Sequence, residues 1–274
     1  MSAVADLDGL RFDLSPTAAH SIAISMDFDG PQPSFFGAPP AQRKPLSSGS
    51  FTGDTREGGS CNCEVLEIIP HCNGTHTECV GHITDDRATV PDLVGNVLVP
   101  ALLLSLEPGQ FAASGERGPG PAEAGDPVIS RARLRAAWET AAPGIAPAAI
   151  ILRTLPNAPE KCVRDWMSGP PSTWLTAEAA EWLAGQGICH LLTDQPSVDR
   201  PDDGGELLAH RSFWGLPEGT RDLSRAAHPH ASITEMVFVP DTIEDGLWLL
   251  NLQYPPLETD AVPSRPILHP QLSD

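Results

Sequence analysis

A single α/β domain is the fold class that the sequence predicts, and three observations carry it. Between residues 130 and 193 a helical pattern followed by a short apolar strand occurs twice in succession, which is the grammar of α/β crossovers. The C-terminal third holds two further apolar strands. The 29 Pro and 24 Gly spread turns too densely for an all-helical bundle. At 274 residues, with 41% hydrophobic and 19% charged residues, the chain is globular in composition and long enough for one substantial core, so residues 1–274 are expected to form one domain.

Taken in order, Phe12 to Met26 contains a turn signal and then Ile22, Ile24 and Met26 at period two, the spacing of a half-buried strand. Gly30 to Ser50 is Pro-rich with exposed-looking Phe35 and Phe36 and reads as a long loop. Cys61 to Pro70 alternates like a strand, and Val90 to Leu106 reads as a buried strand region. Ala112 to Pro127 (AASGERGPGPAEAGDP) is low in complexity and reads as a flexible surface loop. Ser130 to Thr140 predicts a helix and Ala148 to Arg153 a strand. Thr176 predicts an N-cap for a helix through TAEAAEWLAGQG, with Cys189 to Thr193 as the strand that follows. Ile233 to Val239 and Leu247 to Leu252 complete the strands. Asp194 and Asp199 read as turn caps, and His20 and His269 as surface groups.

The charge balance of 17 basic against 36 acidic residues, net −19, repels phosphate backbones and anionic lipid, so neither nucleic acid nor a membrane surface is an expected partner. The densest apolar stretch, Val97 to Leu104, is far short of the roughly 20 residues a membrane span requires. The N-terminus has no basic start followed by an apolar core. A cytoplasmic location follows as an expectation, with the six Cys as thiols.

Chemistry concentrates in His71-Cys72-Asn73-Gly74-Thr75-His76-Thr77-Glu78-Cys79-Val80-Gly81-His82, which holds three of the nine His. On an extended segment, His76 and Glu78 emerge on the same face, as one ion held by an imidazole and a carboxylate requires. Gly74 lets the backbone turn His71 back toward the same point. An N/O ligand set suits Zn2+ or Mn2+, as one or two ions, and such an ion brings the pKa of bound water to about 7. A structural zinc site of Cys61, Cys63, Cys72 and Cys79 is a rival, although Cys-x-Cys is not the usual knuckle spacing.

These residues resemble the His-x-Gly-Thr-His-x-Asp-x-Pro-x-His signature of the cyclase family of metal-dependent hydrolases, which includes bacterial kynurenine formamidases and isatin hydrolases. Leu175 to Asp199 is similar to that family's helix, strand and Ser-Val-Asp turn, and Glu235 resembles its late Glu before a Gly-aromatic-x-Leu strand. The resemblance covers about residues 58 to 268. It implies a swivelling β/β/α arrangement, a β-rich barrel-like core with helices packed on one side.

By the same resemblance His76 is a metal ligand, Glu78 stands where the family has a ligating Asp, and His82 is implicated in catalysis. The family's first His falls on Cys72 with His71 one place upstream, so either side chain is a candidate ligand, His71 being preferred. Val80 replaces the motif Pro. For the later His, His210 is preferred over His228 and His230, and Glu235 completes the metal set with a share in catalysis. Phe35, Phe36 and Trp214 are candidates for an apolar pocket wall. The implied activity is hydrolysis of a linear or cyclic amide C–N bond in a small substrate, aromatic ones included, by a homodimer or homotetramer. Lactone or ester hydrolysis, dehydration, and metal or metabolite binding without turnover are the alternatives.

Overall fold

A computed structural model describes residues 3–272 apart from Asp8, Ala142 and Pro143. Its centre is a curled nine-stranded half-barrel sheet. In chain order the strands are β1 (His20–Ser21), β2 (His76–Glu78), β3 (Val97–Leu106), β4 (Ala149–Thr154), β5 (His190–Thr193), β6 (Ser232–Glu235), β7 (Gly246–Gln253), β8 (Ala261–Pro263) and β9 (Arg265–Pro270). Their spatial order is β8-β2-β6-β5-β4-β3-β7-β9-β1. The middle four, β3 to β6, run parallel, whereas every outer pairing is antiparallel.

Parallel neighbours need crossovers, and each crossover here carries one helix of seven residues or more. These are α1 (Arg131–Ala141) between β3 and β4, α2 (Ala177–Gly185) between β4 and β5, and α3 (Leu208–Trp214) between β5 and β6. Side chains alternate along the strands. Leu102, Leu104, Ile150, Leu152, Leu191 and Ile233 meet Leu134 of α1, Leu183 of α2 and Phe213 of α3 on one face. Ala101, Leu103, Ala149, Ile151 and Leu192 meet Leu250, Leu252 and Leu268 on the other. Strands buried on both faces explain why these segments read as continuous apolar runs.

The expected helices and strands between 130 and 193 are present, and the Thr176 hydroxyl caps α2 by accepting from Ala179 N. Other expectations need correction. Gly30 to Ser50 is not one loop, because Gln42–Pro45 pairs with Glu64–Glu67 in a ribbon exposed along both strands. Phe35 is buried while Phe36 remains exposed. Val90–Leu93 is a helical turn before β3, capped by Thr89. The strand expected through Val239 ends at Glu235, because Met236 adopts φ 53°. That left-handed conformation is costly without glycine and is held by hydrogen bonds from Met236 N to Gln195 O and from Thr75 Oγ1 to Met236 O. His269 is buried rather than a surface group.

Within 112–127 several backbone groups are tied down. Arg117 N donates to Glu178 of α2, and Gly120 N donates to Glu206. Gly118 passes so close to the rings of Phe111 and Trp174 that a Cβ there would lie 2.7 Å from either. Among the described residues no helix is long and apolar enough to cross a membrane.

His190 opens β5 with its Nδ1 2.9 Å from the Ser232 hydroxyl, and burial pulls its pKa down to about 4. The folded protein therefore keeps this imidazole neutral while the unfolded chain protonates it below its ordinary value near 6.5. Stability should fall as pH drops from 6.5 to 4, by about 3 kcal/mol for this group, and stay level below that. Chemical denaturation across this range should show a smaller loss for His190→Gln than for the parent. Equal losses would contradict the account.

Candidate metal centre

Strand register builds the inner part of the site. β2 pairs with β6 so that His76 faces Glu235, Thr77 faces Thr234 and Glu78 faces Ile233. Alternation then sends His76, Glu78 and Glu235 to the side where Ile233 packs under the helices, and leaves Thr77 and Thr234 on the other side with hydroxyls 2.8 Å apart. All three metal-type side chains are buried. Helix α3 covers them and supplies His210, whose Nε2 is 2.8 Å from Glu78 Oε1 and 3.7 Å from Glu235 Oε1.

The outer part comes from two short turns and a loop. The helical turn Pro70–Asn73 presents His71, with Nδ1 3.2 Å from Glu78 Oε2. The 3-10 turn Val80–Ile83 presents His82, with Nε2 3.9 Å from the same oxygen. On the opposite edge of β2, strand β8 pairs Ala261 with Glu78, which delivers Asp260 alongside. Asp260 Oδ2 lies 3.0 Å from His71 Nε2 and 3.3 Å from His82 Nδ1.

Carboxylates and imidazoles in this cluster shift one another's titration. Burial would raise the Glu78 pKa, but the imidazoles of His82 and His210 outweigh it and hold the carboxyl well below its ordinary value. His210 shows the converse: burial would lower it, while Glu78 and Asp199 hold it well above. For His71, the hydrogen bond to Asp260 and the negative charge of Glu78 overcome burial and set the pKa at about 10. Hydrogen bonds from His71 and His82 hold Asp260 below the usual carboxylate range.

Within this cluster two buried atoms remain without a hydrogen-bond partner, His76 Nε2 and Glu78 Oε2. His76 Nδ1 donates to Gly74 O at 2.9 Å, which fixes the tautomer and leaves Nε2 as a bare lone pair. That lone pair faces Glu235 Oε2 at 3.3 Å. Lone pairs so placed repel unless a proton or cation lies between them, and oxygen and imidazole donors suit a borderline divalent ion. His76, Glu78 and Glu235 form one group whose ligand atoms all lie within 4.8 Å of one another, and His71, Glu78 and His82 form a second that shares Glu78. The residues fit a metal.

The structure brings His71, His76, Glu78, His82, His210 and Glu235 into this one cluster, although Glu78 and His210 are 132 positions apart in the chain. Cys72 instead packs in a buried cluster with Phe35, Trp166 and Met236. No group of metal-type ligands among the described residues includes a cysteine, which removes the structural zinc reading. His228 and His230 are exposed, His230 Nδ1 contacting Leu93 O. Trp214 is buried beside His210, with ring centroids 5.4 Å apart, and donates to Ala231 O.

Three acidic residues have roles that local sequence does not reveal. Asp199 does more than cap a turn: it accepts from the Ala209 and His210 amides at the start of α3 and approaches His210 Nδ1 at 2.6 Å, orienting that ring toward Glu78. Its place in a Ser-Val-Asp turn just before a His-bearing helix was the available signal. Asp194 is a buried partner of Lys161 at 2.8 Å rather than a turn cap. Asp260 sits in a segment with no local motif, and only the pairing of β8 with β2 reveals it.

Among curated protein sequences none matches the chain. Solved structures resemble it in fold at low identity. A predicted metal-dependent hydrolase from Bacillus stearothermophilus is 16% identical, with TM-score 0.55 and coverage of 92% of this chain and 97% of that one. Isatin hydrolase A from Labrenzia aggregata, bound to benzyl benzoate, is 14% identical, with TM-score 0.62 and coverage of 93% and 95%. An isatin hydrolase bound to the product analogue thioisatinate is 13% identical, with TM-score 0.60 and coverage of 93% and 94%. The family model described as Putative cyclase matches residues 12–200, well over half of the chain. The protein with this half-barrel and this His/Glu cluster belongs to the Putative cyclase family.

Proposed function

We propose that the protein is a metal-dependent hydrolase that cleaves an amide C–N bond, linear or cyclic, in a small substrate. The observation that carries this reading is the pair of buried, unpartnered ligand atoms on His76 and Glu78 opposite Glu235. Likeness in fold to isatin hydrolases favours amide substrates over the lactone, ester and dehydration alternatives. His76, Glu78 and Glu235 would hold one ion, and His71 and His82 with Glu78 offer a second position, with His210 bracing Glu78 from α3. Zn2+ or Mn2+ there would supply a Lewis acid for the carbonyl and an acidified water as nucleophile.

The chain's own groups account for proton handling. His82 stands on the partly exposed side of the cluster with His71, their side chains 29% and 26% accessible, and with only the inner ion bound it would be the group that meets a substrate's leaving nitrogen. Asp260 faces His82 Nδ1 and so leaves Nε2 as the nitrogen that exchanges a proton. Glu235 is anchored by the Val198 amide at 2.8 Å, which keeps its other oxygen on the His76 side. His210 is locked between Asp199 and Glu78, so it positions the carboxylate rather than moving a proton to solvent.

Protein purified without chelator should contain Zn or Mn by elemental analysis and should hydrolyse aryl formamides or cyclic imides and lactams. Chelation should abolish turnover and added metal restore it. His76→Ala and Glu78→Ala should each lose both metal and activity while remaining folded. Metal content near zero in the parent, not raised by added Zn or Mn, would favour a binding protein of the same fold.

The first-ligand question has a direct readout. His71→Ala should weaken metal affinity much more than Cys72→Ser, because Cys72 faces the Phe35 and Trp166 cluster. The reverse ranking would make the thiolate a ligand.

Asp260→Asn should keep the inner ion but lower kcat by about tenfold to a hundredfold, the usual effect of losing an orienting carboxylate behind a histidine. The loss should fall on kcat rather than on metal content. A variant with parental kcat would remove Asp260 from the mechanism.

A further inference from the structure

Away from the metal cluster, a cavity of about 450 Å3 lies beyond the carboxyl ends of β4 and β5, the same end of the parallel strands at which Glu235 closes β6. Open α/β sheets bind their ligands at that end. Five prolines, Pro156, Pro170 and Pro171 among them, give the cavity apolar walls, and Thr154, Glu160, Lys161, Arg164, Thr173 and Gln195 add polar groups. Its volume lies in the range of small-molecule sites.

Most of the polar lining is already spent. Lys161 Nζ donates to Asp194 Oδ2 at 2.8 Å, to Thr154 O at 2.6 Å and to Thr154 Oγ1 at 3.0 Å, which uses every hydrogen of the ammonium group. Gln195 Nε2 donates to Thr154 Oγ1 and to Asp194 Oδ1, while its Oε1 accepts from Thr173 N. That floor is closed on itself, with its one positive charge paired.

Arg164 is the exception. Its guanidinium lies over the Trp166 ring, with Cζ 4.4 Å from the centroid, and Nη2 donates to the carbonyl of Pro170, itself part of the cavity wall. Among the described residues neither Nε nor Nη1 has a hydrogen-bond partner, and no carboxylate forms an ion pair with the group. Both nitrogens retain solvent-accessible surface, unlike the buried indole nitrogen of Trp166 beneath them, so a ligand can reach them. Burial lowers the Arg164 pKa from its ordinary value, and the charge of Asp165 offsets only part of that. A partly desolvated guanidinium without a counter-ion favours an anion, and its planar fork matches the two oxygens of a carboxylate. With Lys161 paired, Arg164 and Glu160 leave no excess positive charge in the lining for a dianion. The proline walls suit a flat apolar body.

We propose that this cavity binds a small aromatic monocarboxylate, its oxygens on Arg164 and its ring against the prolines. The site does not depend on the hydrolase reading.

The test is calorimetric titration of the metal-loaded full chain with benzoate, with benzamide and inorganic sulfate as the neutral and dianionic comparisons. Benzoate should bind saturably and more tightly than either. Arg164→Met keeps a stem over Trp166 but removes the charge and the fork, and it should weaken benzoate about tenfold or more, the usual worth of a hydrogen bond to a charged group. His76→Ala, which should empty the metal cluster, should leave that affinity unchanged. In the unsubstituted protein benzoate should also protect Arg164 from phenylglyoxal, read by peptide mass spectrometry, a measurement that needs no variant to fold. Absence of saturable binding, benzamide or sulfate held as tightly as benzoate, undiminished affinity in Arg164→Met, loss in His76→Ala, or modification of Arg164 at the same rate with and without benzoate would each overturn the proposal.

Discussion

Register between two short antiparallel strands is the constraint on which the site depends. Because His76 stands opposite Glu235, alternation places His76, Glu78 and Glu235 on the helix-covered side of the sheet and Thr77 and Thr234 on the other. A slip of β2 by one residue would turn Thr77 inward and His76 and Glu78 outward, away from Glu235. The register is pinned from both sides: β8 holds the far edge of β2, and the left-handed Met236 ends β6 immediately after its functional residue. The half-barrel matters to function chiefly as the frame that keeps these two strands aligned.

Burying several carboxylates in one place is tolerable only with compensating positive charge. Without an ion, protonated imidazoles at His71 and His210 supply that charge, which is why their pKa values stand above the ordinary range. A divalent cation can take over the same role at the inner position, where His76 is held by Gly74 in the tautomer that leaves Nε2 bare. The cluster thus has a closed end, formed by His76, Glu78, Glu235 and His210, and an open end at His71, His82 and Asp260. On the proposed function, ion binding would belong to the first and proton exchange to the second.

The helices contribute through their ends and caps more than through their length. Asp199 joins two tasks, capping the first amides of α3 and gripping His210, so the ligand-bracing ring cannot rotate without uncapping the helix. Asp194 performs a comparable structural task at the end of β5, where it binds Lys161 and the Thr154 amide. Both acids follow the same parallel strand, one at its mouth and one in the loop beyond. Sheet, crossover helix and site are therefore coupled through side chains only a few residues apart.

Several features were legible from residues alone because their causes are local. Continuous apolar runs placed β3, β4 and β7, the Thr176 cap placed α2, and the density of His and Glu between His71 and His82 marked the chemistry. Resemblance added His210 and Glu235. Tertiary structure decided the rest. Whether His71 or Cys72 faces the cluster depends on how a single helical turn is rotated, and the spacing within the motif does not encode that rotation. Asp260 enters only because β8 lies beside β2, a contact that joins segments remote in the chain. The exposed ribbon at Gln42–Pro45 and the burial of Phe35 likewise follow from packing between distant segments. Periodicity and caps act over a few residues, whereas register, burial and charge compensation are settled only when the whole sheet has closed.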